Sequence, residues 1–101
     1  MNKIGLKSRT TDEFNKVFAC YPEIEKVILY GSRAKGNFKE GSDIDLVLVA
    51  PQFTLTKLNK LENQLDDLLL PWKIDMALYR HIDNPELLSH IERVGIVFFE
   101  K

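Results

Sequence analysis

The chain has 101 residues, a length typical of one domain and too short for a core plus a separate substrate-recognition domain. Hydrophobic residues make up 45% of it and charged residues 29%, which indicates an ordinary globular protein. The formal net charge of −1 gives no electrostatic reason to expect a nucleic acid or an anionic membrane as a direct partner. We therefore expect one domain that covers residues 1–101.

Two features of the sequence bear on where the protein works. The single cysteine, Cys20, excludes an internal disulfide. The first ten residues, MNKIGLKSRT, lack the apolar segment of a signal peptide, and no stretch approaches 18 uninterrupted apolar residues. We expect a cytoplasmic protein that does not span a membrane.

The predicted elements begin with a helix over about residues 11–20. Thr10 and Glu13 have the spacing of a capping box, and an apolar stripe follows them. The segment KVILY, residues 26–30, is β-branched and aromatic, which predicts a buried strand that runs directly into Gly31.

The middle of the chain predicts a strand, a helix and a strand. The strand is DIDLVLV, residues 43–49, and the helix is TLTKLNKLENQLDDLLL, residues 54–70. In WKIDMALY, residues 72–79, apolar residues alternate with other residues, which predicts a third strand. Asp75 lies on the face opposite its apolar residues. The expected apolar face of the helix consists of Leu55, Leu58, Leu61, Leu65, Leu68 and Leu69.

The last predicted elements are a helix over residues 85–94 and a short strand at residues 96–99. Asn84 suits the N-cap of the helix, and Gly95 suits the left-handed residue that follows its end. The order α-β-β-α-β-α-β predicts an α/β (α+β) fold with a small mixed sheet and helices packed on it. Residues 43–79 form its parallel crossover, which we expect to be right-handed.

Two carboxylates in the second strand are the first chemical signal. Asp43 and Asp45 are two positions apart, so their side chains leave the same face with Cα atoms about 6.5–7 Å apart. Burying such charges costs several kcal/mol per ion unless something positive meets them. Mg²⁺ prefers oxygen ligands and is commonly held by carboxylates together with substrate phosphates.

Asp75 extends this signal if the third strand lies beside the second. Three carboxylates could then hold two Mg²⁺ ions about 3.5–4 Å apart, a site for in-line phosphoryl chemistry. Two of the three residues also have a structural interpretation, whereas Asp45 is harder to explain in that way because it lies within a strand. Asp43 follows a Gly-Ser pair and could be an exposed loop residue, whereas Asp75 could protect an edge strand from pairing.

A second signal is the loop GSRAKG, residues 31–36. A short helix beginning at Gly31 and Ser32 would offer free N–H groups and a hydroxyl to a phosphate, and Arg33 and Lys35 add positive charge. The loop could equally be a simple turn, and it lacks the spacing of a Walker A motif.

The histidines His81 and His90 lack the spacing of zinc ligands, so we expect surface or helix-capping positions for both.

Together these residues resemble a known signature. Gly31–Ser32, ten intervening residues and then Asp43-Ile44-Asp45 resemble the polymerase-beta-like nucleotidyltransferase superfamily. The small size and the later segment KIDMALY, which contains Asp75, resemble its minimal nucleotidyltransferase branch. The resemblance covers roughly residues 24–79.

The resemblance implies a role for each matching position. Asp43 and Asp45 would bind two Mg²⁺ ions, and Asp75 would complete the catalytic triad and help activate the attacking hydroxyl. Gly31 and Ser32 would hold the β- and γ-phosphates of a nucleoside triphosphate such as ATP. A basic residue, Lys35 or alternatively Arg33, would contact a phosphate.

The resemblance also implies a partner. Minimal members are typically encoded beside a small all-helical HEPN-domain protein and act as its antitoxin, and they can transfer AMP from ATP onto a tyrosine of that toxin. Two alternatives stay open. The domain could neutralise its partner by binding alone, with a regulatory nucleotide site, or it could modify a small molecule or RNA, as larger relatives do.

Overall fold

A computed structural model describes residues 5–101 as a four-stranded mixed sheet with helices packed on it. The elements in chain order are α1 (Ser8–Phe18), β1 (Lys26–Tyr30), α2 (Gly31–Lys35), β2 (Ile44–Val49), α3 (Leu55–Asp66), β3 (Ile74–Leu78), a 3₁₀ helix (Tyr79–His81), α4 (Pro85–Val94) and β4 (Ile96–Glu100). The strand order is β3-β2-β1-β4, with β1 antiparallel to β2 and β4. Strands β2 and β3 are parallel, which confirms the predicted mixed sheet and its parallel unit. Within residues 5–101, no helix is long and apolar enough to cross a bilayer.

The hydrophobic core covers one face of this sheet. Side chains alternate between the two faces of a strand, so every second residue of β1 and β2 points into the core. These core residues and the helix residues packed against them are Val27, Leu29, Ile44, Leu46, Leu48, Phe14, Phe18, Leu61 and Leu65. The residues between them in sequence point to the opposite face, which carries Tyr30, Asp45 and Asp75.

Helix α1 begins earlier than the sequence pattern predicts. Its N-cap is Lys7, which makes no side-chain capping hydrogen bond, and Thr10 lies inside the first turn. The predicted capping box of Thr10 and Glu13 is therefore wrong. The nearby Thr11 hydroxyl instead donates to the carbonyl of Ser8 at 2.9 Å.

Helix α3 ends at Asp66, four residues before the predicted end. The chain then turns through Leu69, whose φ of 54° is left-handed and unfavourable by about 1–2 kcal/mol for a residue with a Cβ. Leu69 is 88% exposed and Leu55 is 60% exposed, so these two do not belong to the buried face predicted for the helix. Leu68 still packs against the core, because the turn after Asp66 redirects it there.

Helix α4 has the predicted bounds and the predicted cap. The Asn84 side chain accepts hydrogen bonds from the backbone N–H groups of Glu86 at 2.9 Å and Leu87 at 3.4 Å. Gly95, however, has a φ of −59° and is not left-handed. Its lack of a side chain is needed for packing instead, because a Cβ there would lie 2.8 Å from Ile28 Cγ2.

Arg33 is a buried cation, only 1% exposed, that fixes the loop between α2 and β2. Its Nε and Nη2 donate to the carbonyl of Ser42 at 3.1 and 2.9 Å, and Nη2 also donates to the carbonyl of Glu40 at 3.1 Å. Its Cζ lies 5.0 Å from the ring centre of Phe38 and 5.4 Å from that of Trp72. Burial lowers the pKa of the guanidinium. Ser42 directly precedes Asp43. The contacts of Arg33 with the Ser42 carbonyl therefore hold the backbone in place just before β2.

The first prediction concerns these contacts of Arg33. Arg33→Lys should lower the free energy of unfolding by about 1–3 kcal/mol, because an ammonium cannot reproduce the forked contacts with two carbonyls or the stacking on two rings. Urea denaturation followed by circular dichroism measures the change. Arg9→Lys, the same substitution at an exposed arginine of α1, is the control and should change stability by less than about 0.5 kcal/mol. Equal effects of the two substitutions would contradict the anchoring role.

Candidate active site

An acidic row crosses three strands on the face opposite the core. Asp45 is the register partner of Tyr30 on β1 and of Asp75 on β3. Neighbouring strands lie about 4.7–4.9 Å apart, and register partners project from the same face. The row lies where β1 ends and where β2 and β3 begin. Asp43 is exposed one residue before β2, so the fold brings the three aspartates to one end of the sheet.

The charges of these residues act on one another. Burial raises the pKa of Asp45 above its ordinary value of 3.8, and the charges of Asp75 and Asp43 raise it further, whereas His90 lowers it. Burial, followed by the charges of Asp45 and Asp75, raises the pKa of the Tyr30 hydroxyl to about 12. The row is therefore a place where negative charge is unfavourable and where a cation would be stabilised.

The donor chemistry of the row fits a hard divalent cation, because the groups that face one another are carboxylates. Within residues 5–101, no three histidine, cysteine or acidic side chains are arranged to hold an ion by themselves. Mg²⁺ commonly takes only one or two carboxylates and completes its shell with water and substrate phosphates. Asp45 and Asp75 suit that kind of site.

Gly31 joins the end of β1 to α2 and lies against the acidic row. Its φ of 76° favours glycine, and a Cβ at this position would collide with Oδ2 of Asp45. The Gly31 N–H donates to Nε2 of His90 at 3.1 Å. No other residue type fits this position without moving the Asp45 carboxylate.

His90 is a site residue that the sequence interpretation missed. It lies on α4, is half-buried, and packs edge-on against the ring of Tyr30 with the ring centres 6.2 Å apart. The expectation of a surface position is therefore wrong for His90, whereas the capping alternative is met, because His90 accepts from the first N–H of α2. One signal was present in the sequence: His90 lies three residues after Leu87 and four before Val94, on the apolar side of its helix.

The remaining predicted site residues occupy different environments. Ser32 is half-buried beside Gly31, and Lys35 is exposed at the end of α2. Arg33, in contrast, directs its guanidinium to the loop carbonyls and two aromatic rings described above. Its burial argues against the phosphate contact that we expected as an alternative to Lys35.

Comparison with known proteins places the chain among nucleotidyltransferases. The sequence matches the family described as “Polymerase beta, Nucleotidyltransferase” over residues 12–101. It is also 37% identical, over 71 residues, to a candidate protein adenylyltransferase of Methanocaldococcus jannaschii; the match covers 69% of this chain and 71% of that protein.

Solved structures with a similar fold come from toxin–antitoxin complexes. One is a toxin–antitoxin crystallised with AMP-PNP, with a TM-score of 0.72 and 19% identity over 90% of this chain and 73% of the other. Another is the complex of a tri-AMPylated Shewanella oneidensis HEPN toxin with an MNT antitoxin, with a TM-score of 0.69 and 16% identity over 95% and 74% of the two chains. At these identities the likeness concerns the fold. The family match, in contrast, spans the Gly31–Ser32 turn and all three aspartates, and this chain therefore belongs to the polymerase beta nucleotidyltransferase family.

Proposed function

We propose that this protein transfers AMP from ATP, with Mg²⁺, to a hydroxyl of a protein partner, and that the acceptor is a tyrosine of a small all-helical HEPN-domain toxin. The observation that carries the proposal is the pairing of Asp45 with Asp75 on neighbouring strands. The turn at Gly31 lies directly against the Asp45 carboxylate. The name of the adenylyltransferase relative and the AMPylated toxin in the Shewanella complex support the choice of AMP and of this partner.

The chain's own residues bind the nucleotide and accept the proton. Asp43, Asp45 and Asp75 would hold two Mg²⁺ ions, whose positive charge would neutralise the charge that develops on the phosphate oxygens. The turn at Gly31 and Ser32 would bind the β- and γ-phosphates, with Ser32 as the donor because the Gly31 N–H is held by His90, and exposed Lys35 would add positive charge.

The transfer itself forms one bond and breaks one. The acceptor hydroxyl oxygen attacks the α-phosphorus in line, and its proton passes to the Asp75 carboxylate. The bond between the α-phosphorus and the bridging oxygen of the β-phosphate breaks, and pyrophosphate leaves. Because burial and the neighbouring carboxylates disfavour negative charge on Asp45, a cation bound beside it would be stabilised.

The second candidate function, neutralisation by binding alone, draws support from two exposed leucines, one at the start of α3 and one after its end. Leu55 and Leu69 are largely exposed, and Leu69 is held in a left-handed conformation. Under this function the aspartates would be dispensable for protection against the toxin. Substituting them while following both protection and complex formation separates the two candidates.

The second prediction tests the chemistry. Asp45→Asn should lower AMP transfer at least a hundredfold, because it removes a carboxylate that holds the cation. The assay incubates the protein with labelled ATP, Mg²⁺ and the small protein encoded beside it, and it follows label on that partner. Asp83→Asn, at an exposed aspartate outside the row, is the matched control and should label normally.

Two outcomes of this assay would decide against AMP transfer. A wild-type protein that binds ATP and its partner but labels nothing would refute it. Protection against the toxin that survives Asp43→Ala and Asp45→Ala together would favour neutralisation by binding alone.

The third prediction concerns stability. Because the folded-state pKa of Asp45 is raised, the folded protein binds a proton there more readily than the unfolded chain does. The native state is therefore favoured most below the ordinary pKa of 3.8, and that advantage is lost as the pH rises through the folded-state value. At neutral pH the charge is destabilising, so Asp45→Asn should raise the melting temperature of the metal-free protein.

The same variant should lose the increase in melting temperature that Mg²⁺ and ATP give the wild type, because that increase reflects ligand binding to the folded state. Differential scanning fluorimetry in EDTA and in MgCl₂ with ATP measures both effects. A variant that is less stable than the wild type in EDTA would contradict the unfavourable charge at Asp45.

The fourth prediction uses two glycines with the same backbone conformation. Gly31 and Gly36 have φ values of 76° and 87°, but a Cβ at Gly36 would meet nothing within 4 Å. Alanine at either position should lower the free energy of unfolding by about 1–2 kcal/mol, because both force a Cβ into left-handed geometry. Only Gly31→Ala should also displace Asp45 and lower AMP transfer at least tenfold, as measured in the labelling assay. Equal activity of the two variants would show that the contact with Asp45 is unimportant.

A further inference from the structure

His90 contacts the candidate site but has no role in the reaction proposed above. Its Nε2 accepts a hydrogen bond from Gly31 N–H at 3.1 Å, between residues 59 positions apart in sequence. Its ring also packs against Tyr30 with an angle of 81° between the planes. These contacts link helix α4 to the turn that carries Gly31 and Ser32.

We infer that His90 is a positioning residue that holds this turn in its nucleotide-binding conformation before the nucleotide arrives. The inference rests on the proposed function, because it concerns the same nucleotide site.

The conformation of Gly31 explains why the turn needs such a contact. Glycine has more backbone freedom than any other residue, so the residue that fits beside Asp45 is also the one that loses most entropy when ordered. The Asp45 carboxylate lies against the Cα of Gly31, and His90 holds the Gly31 N–H. Together they restrict the conformations open to the turn. If the turn is already ordered in the free protein, no entropy is lost to order it when the ligand binds. The binding free energy is then more favourable.

Two other roles for His90 predict different behaviour. If the imidazole acted as a base or a cation ligand through Nε2, the bond to Gly31 would have to break, and an amide side chain could not replace it. If His90 instead competed with a phosphate for the Gly31 N–H, its removal would strengthen nucleotide binding. The positioning role predicts weaker binding and rescue by a side chain that can accept at the same place.

Glutamine and asparagine make a matched pair for the test. Glutamine can present an acceptor oxygen at about the reach of Nε2, whereas asparagine ends near the position of Nδ1. His90→Asn should raise the Kd for ATP in the presence of Mg²⁺ about tenfold, and His90→Gln should stay within about threefold of the wild type. The maximal rate of AMP transfer at saturating ATP should change less than the Kd in both variants. His81→Asn, at the exposed histidine, controls for the substitution itself.

A second measurement reports the hydrogen bond without any nucleotide. Hydrogen exchange at the Gly31 amide, followed by NMR on the nucleotide-free protein, should be faster in His90→Asn than in the wild type and restored in His90→Gln. Retained melting transitions in both variants show that the exchange is local. Unchanged exchange in His90→Asn would overturn the inference.

The binding results can also overturn it. Equal or tighter ATP binding by His90→Asn would refute positioning, and a glutamine variant as defective as the asparagine one would point to chemistry of the imidazole itself. Failure of the proposed function gives a different result: a wild type that transfers no AMP, while His90→Asn still weakens ATP binding, leaves the positioning role intact.

Discussion

The register between β2 and β3 is the constraint on which the site depends. It places Asp45 directly beside Asp75, at a strand separation of about 4.7–4.9 Å. A shift by one residue would separate the pair, but it would also turn Leu46 and Leu48 out of the core. The apolar face therefore enforces a repulsion on the polar face, and burial together with this repulsion raises the pKa of Asp45. A folded protein retains such an arrangement when the unfavourable charge serves to bind something positive.

The distribution of positive charge leads to the same conclusion. Arg33 is close to the row in sequence, yet its guanidinium is buried against carbonyls and aromatic rings in the loop before Asp43. This cation stabilises the backbone that delivers the aspartates, while burial and the neighbouring carboxylates still raise the pKa of Asp45. Lys35 is exposed at the end of α2. The guanidinium of Arg33 and the partial compensation by His90 thus leave the pKa of Asp45 raised, which is compatible with the cation site proposed above.

Local patterns predicted the elements whose ends depend on local chemistry. Strand β1 and helix α4 have the predicted bounds because a β-branched run and an Asn-Pro cap are signals within a few residues. The inward direction of Arg33 depends on the carbonyls of Glu40 and Ser42 and on the ring of Trp72, and a pattern of residue types does not contain these contacts. The partner of His90 is 59 residues away, and so its placement needed the fold. Strand parity predicted that Asp43 and Asp45 share a face, but their grouping with Asp75 depended on the third strand lying beside the second, which the structure shows.

Gly31 is where these constraints meet. Its backbone conformation requires glycine, its missing side chain makes room for the Asp45 carboxylate, and its N–H is held by His90 on α4. Under the proposed function, the turn that would bind phosphates therefore lies directly beside the carboxylate that would hold the cation. A cation that draws Asp45 toward itself changes the space available to the turn, and a triphosphate that orders the turn fixes the carboxylate. Binding free energies coupled in this way are reciprocal, so Mg²⁺ should strengthen ATP binding by the same factor by which ATP strengthens Mg²⁺ binding.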